Sequence, residues 1–195
     1  MTKDEAFLAK LAQVGPDVTI FAGALLLRPE LISVGEGSRI DDFTRIEGGQ
    51  GVEIGAYVHV SSFCSIFAGG RALLGDYSCM AEGSRILTGS EQLDAAMSSV
   101  APDAWRRVVT GTTVLDHLAF LATNAVMMPG TVVGVGAVAG AGSVVTRDVP
   151  PWEVWAGVPA RKIGERDPDE LRARGVPVDE LAATAIQAGN RIPAT

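Results

Sequence analysis

The chain has 195 residues and a formal net charge of −7, enough for one domain with a sizeable core. An acidic chain gains little from a phosphate backbone, which sets nucleic acid aside as a partner. Two cysteines make no disulfide framework, and with no signal-like segment and no apolar run of about 18 residues, the expectation is a cytoplasmic protein that inserts in no membrane.

From the N-terminus, EAFLAKLAQ reads as a short amphipathic helix through Phe7, Leu8 and Leu11, within a cap covering 1–17. VTIFAGALLLRPELIS then suggests a crude capping turn. From Val34 a period of six takes over, which neither a helix nor an alternating strand explains. Val34, Ile40 and Ile46 form one aliphatic triplet, Ile54, Val60 and Ile66 the next, and Leu74, Met80 and Ile86 the third. A small or β-branched residue follows four places later, as at Ser38, Thr44, Val58, Cys64, Ser78 and Ser84. The register slips by two at GGQG (48–51) and AGGR (68–71), where glycine suits a bulged corner of positive φ.

Residues 87–114 break the pattern as a long insertion. It resumes at Leu115, Leu121, Met127, Val133, Ala139 and Val145, with Ala119, Ala125, Thr131, Ala137 and Ser143 in the small position. Three hexads make one triangular turn of a parallel all-β solenoid, with the aliphatic residue inside and the small one closing the corner. Five turns are expected, at 34–51, 54–71, 74–91, 115–132 and 133–150, within a coil covering 18–164. A tail, 165–195, reads as two short helices broken at GVP, the second with an apolar stripe of Val178, Leu181, Ala182 and Ile186.

The residue before each aliphatic one points outward. Early turns place mostly polar residues there, among them Arg39, Arg45, His59, Ser65 and Arg85, whereas later turns place Val114, Phe120, Val126, Val132, Val138 and Val144. An apolar sleeve of this kind needs a cover: neighbouring subunits, the C-terminal segment or a ligand. A closed homo-oligomer of three-fold symmetry is the natural expectation for a three-sided prism.

The segment VGVGAVAGAGSVVTRDVPPWEVWAGVPARKIG (133–164) resembles the left-handed β-helix acyltransferases of the hexapeptide-repeat type, and the likeness runs over roughly 18–166. VHVSSFCSIFAGG, LLGDYS and RILTGSEQLD are similar to a subgroup of sugar O- or N-acyltransferases of surface-polysaccharide biosynthesis. The resemblance implies a left-handed coil, a homotrimer, acetyl-CoA or another acyl-CoA as co-substrate, no metal, and a sugar or nucleotide-sugar acceptor. It implies that Ala122, Thr123 and Ala141 line the pantetheine, that Thr146 and Arg147 lie near the pyrophosphate and adenosine, and that Arg161, helped by Lys162, meets the CoA phosphates. Gly164 stands where relatives often carry a second basic residue.

Many relatives also carry a catalytic His at the start of the inserted loop, and LTGSEQLD has none. His59 is then the expected general base. Glu91 is the alternative base or the group that orients His59, and His117 is a third candidate. Ser61 and Asp94 are the expected acceptor contacts. An amine acceptor attacks as its free base and so depends less on such a group than a hydroxyl does. Two rival readings remain: a catalytically inactive solenoid serving as scaffold or regulatory domain, and a zinc enzyme, for which two histidines are too few. The string GVGAVAGAG lacks the spacing and the βαβ setting of a dinucleotide loop.

Overall fold

The computed structural model describes residues 1–67 and 69–187. Three parallel sheets of 6, 8 and 6 strands form the three walls of a coil. Successive strands of the chain fall on successive walls, so each strand pairs with the one a full turn away. The period of six dictates this register residue by residue. Val34, Ile54, Leu74, Leu115 and Val133 stack on the first wall. Ile40, Val60, Met80, Leu121 and Ala139 stack on the second, and Ile46, Ile66, Ile86, Met127 and Val145 on the third. All are at most 3% exposed, and each aliphatic burial contributes about 1.5–3 kcal/mol.

The coil is longer than the five expected turns. A further rung begins at Gln13–Val14, ahead of the expected boundary at 18, and continues through Thr19–Ile20 and Leu25–Leu27. At the other end Glu153–Ala156 extends the second wall, and Arg161–Glu165 folds back on it antiparallel. That reversal ends the parallel stack, while helix α1 (Glu5–Leu8), capped by Asp4, sits at the opposite end.

The corners explain the small residues. Ser38, Thr44, Cys64, Ser84, Ala125 and Ser143 are 1% exposed or less. Ser38 Oγ donates to the Gly55 carbonyl and accepts the Val58 N–H, so the hydroxyl ties one rung to the next. The residue at the apex takes positive φ, and at Tyr57, Tyr77, Phe43 and Phe63 it is aromatic. Stacking offsets that strain: the rings of Tyr57 and Tyr77 lie 5.3 Å apart and those of Phe43 and Phe63 5.1 Å. Gly136, at φ +65, makes room for another ring, since a Cβ there would stand 2.2 Å from Trp152.

The insertion leaves the corner between the third and first walls and returns as an antiparallel hairpin, Gly89–Glu91 with Val108–Thr110. The coil resumes at Thr112, earlier than the expected end at 114. After the coil come helices α2 (Pro168–Arg172) and α3 (Val178–Ala183); the end of the tail, 188–195, lies outside the described residues. Val178 and Leu181 are buried. Asp116 accepts the Ile186 N–H and fixes the tail to the corner between the first and second walls. No helix among the described residues is long and apolar enough to cross a membrane.

Candidate active site

The residues expected to meet CoA flank the late turns of the third wall. Thr123 and Ala141 lie on neighbouring rungs of one corner, where Gly142 N–H donates to the Thr123 carbonyl at 2.9 Å. Both are exposed. Their own N–H groups have no hydrogen bond among the described residues, and their small side chains leave that backbone open to an extended amide-bearing ligand. Ala122 is half-buried beside them. Thr146 and Arg147 sit at the opposite edge of the same wall, past Val144–Val145.

The three cations are not equivalent. Arg161 donates to the Ala160 carbonyl at 2.8 Å. Neither Arg161 nor Arg147 has a carboxylate partner among the described residues. Lys162 is held by Glu153 at 2.8 Å and also by Glu165, so its charge is already answered. An anion reaching Lys162 would have to compete with these two carboxylates.

On the second wall His59 stands outward between Arg39 below and Cys79 above. Its Nε2 lies 3.0 Å from Asp41 Oδ2, and with a carboxylate as partner the imidazole nitrogen is the donor. Nδ1 is thereby the ring position left to accept a proton. Arg39 Nε donates to the other oxygen, Asp41 Oδ1, at 2.6 Å, and its guanidinium also lies over the Phe21 ring, 5.0 Å from the centroid. Burial opposes ionisation of Asp41, but the bonds from Arg39 and His59 outweigh it and hold the carboxyl below its usual range. The arrangement is a base with an orienting carboxylate. Sequence reasoning missed Asp41. The signal available was an Asp directly after an inward aliphatic, two residues past Arg39, which pairs with His59 one 20-residue turn later.

Glu91 does not orient His59 within the chain. Arg106 Nη2 donates to Glu91 Oε1 at 2.8 Å, while Glu91 Oε2 and Arg106 Nε are buried without a hydrogen-bond partner. Asp94 is paired with Arg107 at 2.6 Å. The adjacent arginines of WRRV thus clasp both acidic residues of the outgoing segment, so the hairpin, rather than a ligand, accounts for their charges. Ser61 is 3% exposed and part of a closed corner, with its carbonyl taken by Thr44 Oγ1. That burial argues against the expected acceptor contact.

His117 is 8% exposed and sits at the corner between the first and second walls, whereas His59 lies on a strand of the second wall. The Asp76 N–H donates to Nδ1 at 2.8 Å, which leaves the proton on Nε2, 3.3 Å from the Thr184 carbonyl. Burial raises the neighbouring Asp116 carboxyl above its usual range. His117 and Ile186 close one end of a groove of about 650 Å³ whose walls carry Glu36, Glu53 and Asp76. The groove is acidic and unsuited to a phosphate. Cys79 is half-buried, and burial pushes its thiol up to about 11, which makes it poor as a nucleophile at neutral pH. No group of three or more His, Cys, Asp or Glu able to hold a metal occurs among the described residues.

No family model matches the chain. Over 166 residues it is 29% identical to dTDP-4-amino-4,6-dideoxy-D-glucose acyltransferase of Escherichia coli, covering 84% of this chain and 86% of that protein. It is 33% identical over 138 residues to WbbJ of Escherichia coli, named as a lipopolysaccharide-biosynthesis O-acetyltransferase, covering 69% and 68%. Its fold matches the solved structure of AntD, an N-acyltransferase from Bacillus cereus in complex with dTDP and 3-hydroxybutyryl-CoA, with a TM-score of 0.83 and 26% identity over 89% of this chain and 94% of that one.

Proposed function

The chain belongs to the hexapeptide-repeat sugar acyltransferases and is an acyl-CoA-dependent enzyme, and from that premise we propose that it acylates the amine of a nucleotide-linked amino sugar. The observation that carries this reading is the state of the inserted loop. Its carboxylates Glu91 and Asp94 are each held by an arginine, and it has no histidine. A hydroxyl acceptor needs a strong base beside the thioester, whereas an amine brings its own lone pair. Two relatives matched over 86% and 94% of their own length are named for acylation of an amino sugar and for N-acyl transfer.

In the proposed reaction the amine nitrogen attacks the thioester carbonyl, an amide C–N bond forms, and the C–S bond breaks. His59 takes the proton lost by the nitrogen at Nδ1 and returns it to the departing sulfur, so that free CoA thiol leaves. Asp41 holds the ring and stabilises its cationic form. Thr123 and Ala141 present backbone to the pantetheine, and Arg147 and Arg161 meet the phosphates.

The active assembly is a homotrimer in this reading. Val126, Val138 and Val144 remain half-buried and Phe120 is 36% exposed within one chain, an apolar sleeve that neighbouring copies would cover. The first wall differs, because there Leu73 and Val114 are already buried within the chain.

Release of CoA thiol from acetyl-CoA, measured over free and nucleotide-linked amino sugars, tests the reading. His59→Ala is expected to lower turnover about 10²-fold or more. Full activity in that variant removes His59 as the base, and the lack of CoA release with every amino sugar removes the reaction.

A further inference from the structure

The outward arginines of the early turns follow a rule with one exception. Arg39 is paired with Asp41 and Arg45 with Glu47, each two residues on. Arg71 is paired with Glu53 on the rung below, and Arg28 lies 3.8 Å from Glu30. Arg85 stands at the same strand position as Arg45, two turns later on the third wall, but the residue two places on is Leu87. Its single side-chain hydrogen bond among the described residues runs from Nη1 to the Gly83 carbonyl at 3.1 Å, and no carboxylate among them answers its charge. A guanidinium with four of its five N–H groups open is a fork for a phosphate.

Its place on the wall gives that fork a use. The outward row of the third wall runs Arg45, Ser65, Arg85, Val126, Val144. Thr123, Ala141, Thr146 and Arg147 edge the apolar end of this row, so the pantetheine would lie beside Val126 and Val144. Arg85 is the next residue beyond them, one rung or about 4.8 Å away. It stands at the foot of the inserted loop, three residues before Thr88. Ser65, half-buried with an unengaged hydroxyl among the described residues, follows on the next rung. The row therefore changes from apolar to anion-binding where the acyl chain would end and the acceptor begin. The groove along the first wall and its corner to the second is lined by Glu36, Glu53 and Asp76 and would repel the same ligand.

We propose that Arg85, with Ser65 beside it, binds the diphosphate of the nucleotide-linked acceptor and so selects nucleotide sugars over free amino sugars. This rests on the acceptor class proposed above. The guanidinium fork takes one phosphate side-on and the serine hydroxyl donates to a neighbouring oxygen.

The test is calorimetric titration of the full chain with dTDP and, separately, with CoA, for wild type, Arg85→Gln, Arg85→Lys and Arg45→Gln. Arg85→Gln is expected to weaken dTDP binding about 10- to 100-fold with CoA binding and melting temperature unchanged. Arg85→Lys should fall between, because it keeps the charge and loses the fork. Arg45→Gln should bind as wild type does. Equal dTDP affinity in wild type and Arg85→Gln overturns the assignment. Loss of CoA rather than dTDP binding also overturns it and gives Arg85 to the CoA pyrophosphate. If wild type binds no dTDP but still releases CoA thiol with an amino sugar lacking the diphosphate, the Arg85 site falls while acyl transfer stands.

Discussion

Leu121→Ala probes whether the inner lining holds the coil together. Leu121 is fully buried on the second wall, in register between Met80 and Ala139. Removing its side chain beyond Cβ opens a void that Ala139 is too short to fill, while the flexible thioethers of Met80 and Met127 can enter only part of it. Fully buried Leu→Ala changes cost about 2.7–5 kcal/mol, depending on how far the site collapses. The two methionines place this one near the lower end, at about 3 kcal/mol. For a unit of this length that corresponds to a fall in melting temperature of roughly 6–12 °C. The comparison is Phe63→Ala, at a corner with 60% exposure, where only the stack on Phe43 is lost, about 0.5–1.5 kcal/mol. Thermal and denaturant unfolding followed by circular dichroism, at one fixed protein concentration because assembly shifts apparent stability, give both values. A smaller loss for Leu121→Ala than for Phe63→Ala would refute the reasoning, since the period of six would then not mark the load on the core.

Charge exchange in the loop separates a clasp from a catalytic carboxylate. Glu91→Gln and Arg106→Gln should each speed amide exchange at Gln92 and Ala96, whose N–H groups bond across the hairpin to Arg107 and Trp105, and the double variant Glu91→Arg with Arg106→Glu should restore protection and activity. Restored protection without activity would make Glu91 a reacting group instead. Asp41 should also shape acid stability. Its folded carboxyl is held below the ordinary value of 3.8, so its contribution is fully present above that pH and disappears as the pH falls through the lowered folded value. Asp41→Asn should thus be less stable than wild type at neutral pH and converge with it in acid, as read by denaturant midpoints from pH 7 down to about 3. A gap that does not narrow toward acid would contradict the pairing.

The walls were legible in the sequence because an inward side chain every six residues is a strong constraint, and Val34, Ile54, Leu74, Leu115 and Val133 align as that spacing requires. The rung at Gln13–Val14 was harder to see, since Val14 is 38% exposed at the end of the stack and carries no inward signature. The Asp41–His59 pair depends on two side chains meeting across neighbouring rungs, a distance that only the register makes short. Glu91 and Arg106 meet through hairpin pairing, which no period announces. Asp116 accepts the Ile186 N–H only because the tail folds back some 70 residues later, a contact no local spacing announces.

The central claim, acyl transfer from CoA to a nucleotide-linked amine, meets its most direct test in a paired assay of wild type with acetyl-CoA. One acceptor is a dTDP-linked 4-amino-4,6-dideoxy sugar, and the other is the same compound with a hydroxyl in place of the amine. CoA thiol should appear with the amine alone, and mass spectrometry should find the acyl group on nitrogen. Turnover of the hydroxyl compound with the amine left untouched would contradict the account.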